Sequence, residues 1–138
     1  WQLPSKGKEV FLTFDDGPMP KRTPAVLQAL AAECVKATFF VVGSMASANP
    51  DILRKVADEG HTIGTHTWSH AYLNRRRVAQ NRAAQIAGGL QAAHQVLGPE
   101  QRAQLSPFFR FPGVGHTKGR GAGCYGGAKF RPRRCLPA

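Results

Sequence analysis

The feature of this sequence that most limits its possible folds is an alternation of short apolar runs with longer helical patterns. Four runs rich in β-branched and aromatic residues predict buried strands, at 9–14 (EVFLTF), 37–42 (ATFFVV), 61–65 (HTIGT) and 107–111 (PFFRF). A helical pattern separates each run from the next. The order β-α-β-α-β-α-β favours a parallel sheet with helices packed outside it, which is an α/β fold.

Local signals predict where the helices begin. Thr23 followed by Pro24, and Asn49 followed by Pro50, are each typical of an N-cap residue with proline at the first helical position. Asn74 is the predicted cap of a third and longer helix. The apolar side of that helix is predicted to consist of Val78, Ile86, Leu90 and Leu97.

Length and composition predict one domain. The chain has 138 residues, 42% of them apolar, which is enough for a real core and argues against wholesale disorder. No apolar run reaches the roughly 18 residues of a membrane span, so none is expected. The sequence begins at Trp1 without a signal-type leader, as a processed or trimmed chain would.

The net charge of +11 is unevenly distributed. Residues 118–138 hold six Lys and Arg and no acid, and they are rich in glycine without any periodicity. This composition predicts a domain over 1–117 and a basic tail over 118–138 that is translated out of frame; the alternative is a genuine disordered tail. Cys34, Cys124 and Cys135 are too few and too irregular for a disulfide framework or a cysteine zinc site, and Cys34 is predicted to be a small buried side chain.

Polar residues follow the predicted strands at the edge where sites of parallel sheets collect. Asp15 and Asp16 follow the first strand, and their adjacent carboxylates need either solvent or a positively charged partner. His66 and His70 follow the third strand. Each motif alone is weak, since an aspartate before Gly-Pro commonly shapes a turn and loop histidines are commonly solvated. Together, two imidazoles and a carboxylate form a common catalytic zinc shell with a position open for water.

In this interpretation one aspartate binds the metal and the other takes a proton from the activated water. Arg110, within FFRFPG, is either a strand-end cation in solvent or a fixed partner that orients the catalytic aspartate. Pro112 and Gly113 then expose backbone N–H groups that could hold an oxyanion. His61, at the start of its strand, is predicted to point away from this edge and to be structural.

The motifs TFDDG, HTWSH and RFPG, in this order, resemble the first three motifs of the polysaccharide deacetylases, the NodB-homology enzymes of carbohydrate esterase family 4. The resemblance covers about residues 8–117, and KATFFVVG is similar to the family's second strand. It implies a distorted (β/α) barrel, incomplete at its C-terminus. It also implies removal of acetyl groups from N- or O-acetylated polysaccharides, with a divalent metal that activates the attacking water. Zinc is the expected metal, with cobalt or another ion as alternatives.

Matched position by position, the resemblance assigns a role to each motif residue. The catalytic base is Asp15, the metal ligands are Asp16, His66 and His70, and the arginine that holds the base is Arg110. Pro112 and Gly113 fall on the oxyanion motif, in which the family often has tyrosine after the proline. Trp68 is either a surface on which a sugar stacks or a packing residue.

The family's fourth motif, an Asp and Trp pair, and its fifth, Leu-x-His, do not occur in this sequence. His116 is the one histidine after Arg110, and its context does not match the fifth motif. Without that acid the chain is expected to turn over weakly or not at all, which makes a glycan- or metal-binding module the alternative. Binding of a polyanion through the basic tail is a third hypothesis, but no motif for a specific nucleic acid accompanies the charge. The resemblance implies an N-acetylated glycan as partner and a place outside the cytoplasm; the glycan, the metal and the oligomeric state stay open.

Overall fold

The computed structural model describes residues 10–113. The predicted boundary at residue 117, His116, Cys124, Cys135 and the 118–138 tail lie outside the described residues. The elements are β1 (Thr13–Asp15), α1 (Arg22–Ala32), β2 (Thr38–Val41), α2 (Gly43–Ala48), α3 (Pro50–Asp58), β3 (Thr62–Thr65), α4 (Arg82–Val96) and β4 (Leu105–Phe109). Short 3-10 helices at Arg76–Asn81 and Gln101–Gln104 precede α4 and β4.

The four strands form one parallel sheet in the order β1-β2-β3-β4. Each pair of neighbouring strands is consecutive in the chain and is connected through helices. The register pairs Asp15 with Phe40, Val41 with Thr65, and Thr65 with Phe109. The carboxyl ends of all four strands therefore lie at one edge, and the predicted α/β fold with a parallel sheet is confirmed.

The Arg110 side chain reaches across the carboxyl edge of the sheet. Neighbouring strands lie about 4.8 Å apart, so three steps across the sheet amount to about 14 Å. Arg110, directly after β4, donates a hydrogen bond of 2.8 Å to Asp15 at the end of β1. On the way its guanidinium lies over the ring of Phe40 in β2, so one side chain joins the last strand to the first.

A buried apolar core joins the sheet to its helices. Its larger members are Leu27, Leu30, Phe39, Val41, Leu53, Val56, Ile63 and Leu97. These side chains come from α1, β2, α3, β3 and the end of α4, so the core holds the strands whose ends carry the candidate site. Among the described residues, no helix is both long enough and apolar enough to cross a bilayer.

The signals for helix starts locate two helices closely. Helix α3 begins at Pro50, directly after Asn49, as predicted. Helix α1 begins at Arg22, so Thr23 lies inside the first turn instead of capping it. The Thr23 hydroxyl accepts a hydrogen bond of 2.8 Å from the Met19 N–H, which ties the turn after β1 to the helix.

The prediction of a buried Cys34 inside the first helix is wrong. Helix α1 ends at Ala32, and Cys34 is exposed with a left-handed backbone (φ 52°). The Cys34 N–H donates to the Ala31 carbonyl and the Val35 N–H donates to the Leu30 carbonyl, which is the Schellman pattern of a helix end. Cys34 therefore turns the chain out of the helix towards β2.

The first strand is shorter than predicted. Residues 10–12 precede β1, and their apolar side chains are exposed instead of buried. The reason is the place of β1 at the edge of the sheet, because within residues 10–113 no strand pairs with its outer side. An apolar run predicts burial only when a neighbouring element covers it.

The third helix begins later than predicted, and its predicted apolar side is buried only in part. Helix α4 begins at Arg82, after the 3-10 helix, and not at Asn74. Of the residues predicted to face the core, Ile86 and Leu90 are 37% and 42% exposed, whereas Leu97 is buried as predicted. The residues that α4 buries are Gly89, Ala92, Ala93 and Val96.

Close approach explains why small residues form the buried face of α4. A Cβ atom added to Gly89 would lie 2.9 Å from the carbonyl carbon of Thr67, and one added to Gly43 would lie 3.0 Å from the Cα of Gly89. The helix therefore packs by backbone contact against α2 and against the chain that follows β3. Larger apolar side chains are left outside this contact.

His61 lies at the amino-terminal end of β3 and is structural, as its position predicts. Its ring is 1% exposed, and Nδ1 accepts a hydrogen bond of 3.2 Å from the Ala37 N–H. Burial lowers the pKa of His61 below its ordinary value of 6.5, and the nearby Lys36 lowers it further, while Glu59 opposes the shift. The neutral imidazole is therefore the form that the fold accommodates.

Stability is expected to fall as the pH falls below about 6.5, because the unfolded chain then takes up a proton that His61 resists in the folded state. One such group contributes a slope of up to about 1.4 kcal/mol per pH unit. Urea unfolding from pH 8 to pH 5, with a chelator present, measures the slope for the wild type and for His61→Asn. The variant should be less stable at pH 8 and less dependent on pH. Equal slopes for the two proteins would show that His61 does not titrate in this way.

Candidate functional site

The three predicted metal ligands meet at the carboxyl edge of the sheet. Oδ1 of Asp16 lies 3.4 Å from Nε2 of His66 and 3.1 Å from Nε2 of His70. The ligand atoms of the three side chains all lie within 4.8 Å of one another. Asp16 follows β1 and the histidines follow β3, so the sheet brings together residues that are some fifty positions apart in sequence.

The tautomer of His66 is set by the backbone after β4. Its Nδ1 lies 2.8 Å from the carbonyl oxygen of Arg110. A carbonyl oxygen can only accept, so Nδ1 must carry the hydrogen, and Nε2 of the neutral ring keeps its lone pair. Histidines that bind metals typically donate the N–H of the other ring nitrogen to such an acceptor, because this hydrogen bond fixes both the tautomer and the ring orientation.

The donor set fits a divalent cation. With a neutral ring, Nε2 of His66 and the Asp16 carboxylate are two acceptors 3.4 Å apart, a contact that a cation between them would stabilise. Tetrahedral zinc with bonds of about 2.0–2.2 Å would hold its ligand atoms about 3.4 Å apart. The observed separations of 3.1 and 3.4 Å are close to that spacing.

Backbone strain is concentrated at this cluster. Among residues 10–113, four non-glycine residues have positive φ, and three of them are Asp16 (68°), Thr67 (67°) and His70 (55°). Thr67 is β-branched, for which this conformation is unusual, and its buried hydroxyl has no hydrogen-bond partner. Such strain persists only where surrounding contacts impose it, and it is commonly found at functional sites.

Asp15 is held by Arg110. Nη1 of Arg110 donates 2.8 Å to Oδ1 of Asp15 and 2.9 Å to the hydroxyl of Thr13. Both partners of the ion pair are partly exposed, so their contribution to stability is small. The pair instead fixes the orientation of one carboxylate beside the cluster formed by Asp16, His66 and His70.

Phe40 supports the arginine. The guanidinium carbon of Arg110 lies 4.0 Å from the centroid of the buried Phe40 ring, within the range of a cation–π contact. The ring occupies the space beside Gly64, where an added Cβ would lie 2.7 Å from two ring carbons. A glycine in β3 therefore makes room for the ring in β2 that positions Arg110.

Gly113 can be replaced by no other residue without a shift of its neighbours. Its backbone is left-handed (φ 79°), and an added Cβ would lie 2.5 Å from a ring carbon of Tyr72. The Tyr72 ring also meets the His70 ring edge-on, with 5.6 Å between centroids. Tyr72 therefore links Gly113 to the histidine cluster, while the preceding Pro112 is buried.

Trp68 packs against glycines. A Cβ atom added to Gly43 would lie 2.8 Å from the Trp68 ring, and one added to Gly88 would lie 3.3 Å from the Cβ of Trp68. Its backbone is bonded on both sides, to the Gln85 carbonyl and to the Ser44 N–H. The side chain is still 40% exposed, so it has a packing role and also keeps a free surface.

Sequence reasoning assigned no role to three residues at this edge: Thr13, Phe40 and Tyr72. Thr13 opens the TFDDG motif and Phe40 lies within KATFFVVG, but inside apolar strand runs a polar contact or a cation–π contact has no distinct signal. Tyr72 follows HTWSH by two positions, and its proximity to the histidines is the one signal that could have indicated it.

The parallel sheet and the cluster at its carboxyl edge define a protein of the α/β class with a candidate single-metal centre. The chain belongs to the polysaccharide deacetylase family, because the model of that family matches residues 2–119. The predicted family is thereby confirmed.

Individual relatives agree with this assignment. A peptidoglycan-N-acetylglucosamine deacetylase of Listeria monocytogenes is 46% identical over 73 residues, which cover 53% of this chain and 16% of that protein. A chitooligosaccharide deacetylase of Sinorhizobium fredii is 42% identical over 86 residues, which cover 56% of this chain and 40% of that protein. The chain therefore spans less than half the length of either curated relative.

Solved structures of similar fold are also deacetylases and esterases. The peptidoglycan deacetylase PdaC from Bacillus subtilis matches with a TM-score of 0.66 and 32% identity, covering 78% of this chain and 50% of that chain. A family 4 carbohydrate esterase from Streptomyces lividans, in complex with acetate, matches with a TM-score of 0.63 and 32% identity over 75% of this chain and 50% of that chain. These likenesses support the NodB-type α/β fold.

Proposed function

We propose that this chain hydrolyses acetyl groups from an N-acetylated glycan. The observation that carries the proposal is the arrangement around Arg110, whose carbonyl fixes the tautomer of His66 while its guanidinium holds Asp15. One residue thereby positions both a metal ligand and a carboxylate base. A cluster that bound a metal only for structure would not need the second carboxylate.

The proposed ligands of a divalent ion, most simply zinc, are Asp16, His66 and His70. An ion held there would lower the pKa of water and polarise the acetyl carbonyl. Asp15 is the proposed general base, and it removes a proton from the attacking water. The oxygen of that water bonds to the carbonyl carbon, the C–N bond breaks as the leaving nitrogen takes a proton from solvent, and the products are acetate and a free amino sugar.

Arg110 and Gly113 have supporting roles in this proposal. Arg110 holds Asp15 in one orientation, so that its second carboxylate oxygen remains available for the proton. The N–H of Gly113 is proposed to donate to the oxyanion that forms on the carbonyl oxygen. Its left-handed backbone sets the direction of that N–H, and the Tyr72 ring fixes its position next to His70.

A proton donor for the leaving nitrogen is not found beside Asp15 within residues 10–113. The other histidines of this range are His61, buried at the opposite end of β3, and His94, in the last turn of α4. This observation favours a second candidate function, a glycan- or metal-binding module with little turnover. Zinc-dependent glycan binding without acetate release would identify that module.

The substrate class is proposed from the relatives. Peptidoglycan and chitooligosaccharides, named for two of them, both contain N-acetylated sugars. Glycans of this kind lie in cell envelopes or outside cells, so we place this chain in the periplasm, the cell envelope or the secreted fraction.

Acetate release from an N-acetylglucosamine pentamer is expected to depend on metal. Removing the metal should lower the rate at least about 100-fold, because Lewis-acid stabilisation of the transition state is worth several kcal/mol. The measurement compares zinc-loaded protein with protein treated with a chelator and then dialysed. Recovery of the rate on returning zinc, and no recovery with magnesium, would separate metal loss from unfolding. A rate that survives metal removal would contradict the proposal.

A further inference from the structure

Tyr72 and Arg75 form a pair beside the candidate site that the proposed reaction does not use. Arg75 lies over the Tyr72 ring, with 4.8 Å from its guanidinium carbon to the ring centroid. The same ring meets the His70 ring at 5.6 Å and fills the space above Gly113. One aromatic ring thus contacts both the guanidinium of Arg75 and one of the proposed metal ligands.

Arg75 has no acidic partner within residues 10–113. Its side chain is exposed, and none of the ion pairs in that range includes it. The backbone N–H of Arg75 donates to the Tyr72 carbonyl, which holds the two residues in one tight turn. The guanidinium therefore lies over the aromatic ring, and none of the hydrogen bonds among the described residues occupies its donors.

The surrounding segment has the same sign of charge. Residues 60–99 contain four arginines and no aspartate or glutamate. Asp15 and Asp16, the acidic side chains at this edge of the sheet, face Arg110 and the two histidines. The segment that a ligand meets as it approaches over Tyr72 therefore carries positive charge and no carboxylate of its own.

Arginine on an aromatic ring suits one class of ligand in particular. The planar guanidinium binds carboxylates through paired N–H donors, and stacking on a ring reduces the freedom it loses on binding. The exposed tyrosine face beside it offers an apolar surface to a sugar ring. We propose that Tyr72 and Arg75 form a subsite for a glycan that carries a carboxylate next to the N-acetylated sugar.

This inference rests on the proposed function for its glycan, and it adds a preference for acidic over neutral chains. A neutral chitin oligomer would use only the tyrosine surface. An oligomer with a carboxylate on the sugar beside the reacting one would also pair with Arg75. The gain expected from one partly exposed, charge-assisted contact is about tenfold in affinity.

The test measures binding, which is independent of turnover. Calorimetric titration of the zinc-loaded full chain would compare an N-acetylglucosamine pentamer with the same pentamer oxidised to carboxylates at C6. The wild type should bind the oxidised pentamer about tenfold more tightly, and the preference should shrink as salt is raised. Arg75→Gln should remove the preference while leaving the affinity for the neutral pentamer unchanged.

Arg76→Gln is the matched control. It removes the same charge from the next residue, whose side chain is exposed and makes none of the cation–π contacts among the described residues. The control variant should keep the preference. Equal losses in the two variants would show that net charge and not the stacked pair is responsible, and would overturn the inference. Equal affinity of the wild type for both pentamers would also overturn it.

Three further outcomes bear on this inference and on its relation to the proposed function. Preferential binding of the oxidised pentamer without acetate release from either pentamer would support the subsite and contradict the deacetylase proposal. Polyglutamate that competes as strongly as the oxidised pentamer would instead indicate a general polyanion surface and overturn the glycan subsite. Failure to bind either pentamer would overturn both proposals.

Discussion

Replacing Asp15 with asparagine is expected to lower kcat for acetate release by about 10²- to 10⁴-fold, the contribution of a positioned general base. Asparagine has nearly the same shape, and its amide oxygen can still accept from Arg110, so the local contacts are retained. The amide cannot take the proton of the attacking water. The loss should therefore appear in kcat, with little change in KM. Measurement of acetate release at saturating glycan, with zinc present, tests this expectation.

Asp51→Asn supplies a control for the loss of one carboxylate. Asp51 pairs with Arg54 on the surface of α3 and is almost fully exposed. Its variant should retain wild-type kcat. An Asp15→Asn variant with unchanged activity would rule out the proposed base and with it the proposed mechanism.

Replacing Asp16 with asparagine should weaken zinc binding by more than about 100-fold, beyond the 10- to 100-fold typical of residues that only support a ligand. The change removes the one charged ligand atom of the cluster. Asparagine tolerates the left-handed backbone that Asp16 adopts (φ 68°), so the loop should keep its conformation. Competition with a chromophoric chelator measures the affinity directly.

The adjacent Asp15→Asn variant is the natural control for this measurement. Its zinc affinity should stay within a few-fold of the wild type, because Arg110 and not the metal cluster binds Asp15. The two substitutions are therefore expected to have different effects: Asp16→Asn lowers metal affinity, and Asp15→Asn lowers turnover. Equal losses of zinc affinity in both variants would show that the two aspartates share the metal.

The sequence predicts the candidate site better than it predicts the helix faces. Each site residue follows a strand, and the parallel order predicts that all strand ends share one edge, so Asp16, His66 and His70 could be brought together without knowing any distance. Their residue types also indicate the metal chemistry. The relation of each helix to its neighbours has no comparable local signal.

Helix α4 illustrates what a periodic pattern leaves undetermined. Its larger apolar residues, Ile86 and Leu90, predict a buried face, yet the helix buries Gly89 and two alanines. The backbone after β3 approaches so closely that only small residues fit there. The exposed residues 10–12 are a similar case, because an edge strand buries its apolar side chains only against a neighbour.

By itself, the sequence determined the chemical groups and the edge at which they gather: two carboxylates, two imidazoles and an arginine, each placed after a strand. Only the tertiary structure decided how they are used. The side chain of Arg110, after β4, reaches Asp15 on β1, and the same residue's carbonyl selects the tautomer of His66. Phe40 contacts the arginine and Tyr72 contacts His70, and the sequence marks neither contact. The physical reason is that residue type and the order of elements are written along the chain, whereas side-chain contacts and close packing depend on all neighbouring elements at once.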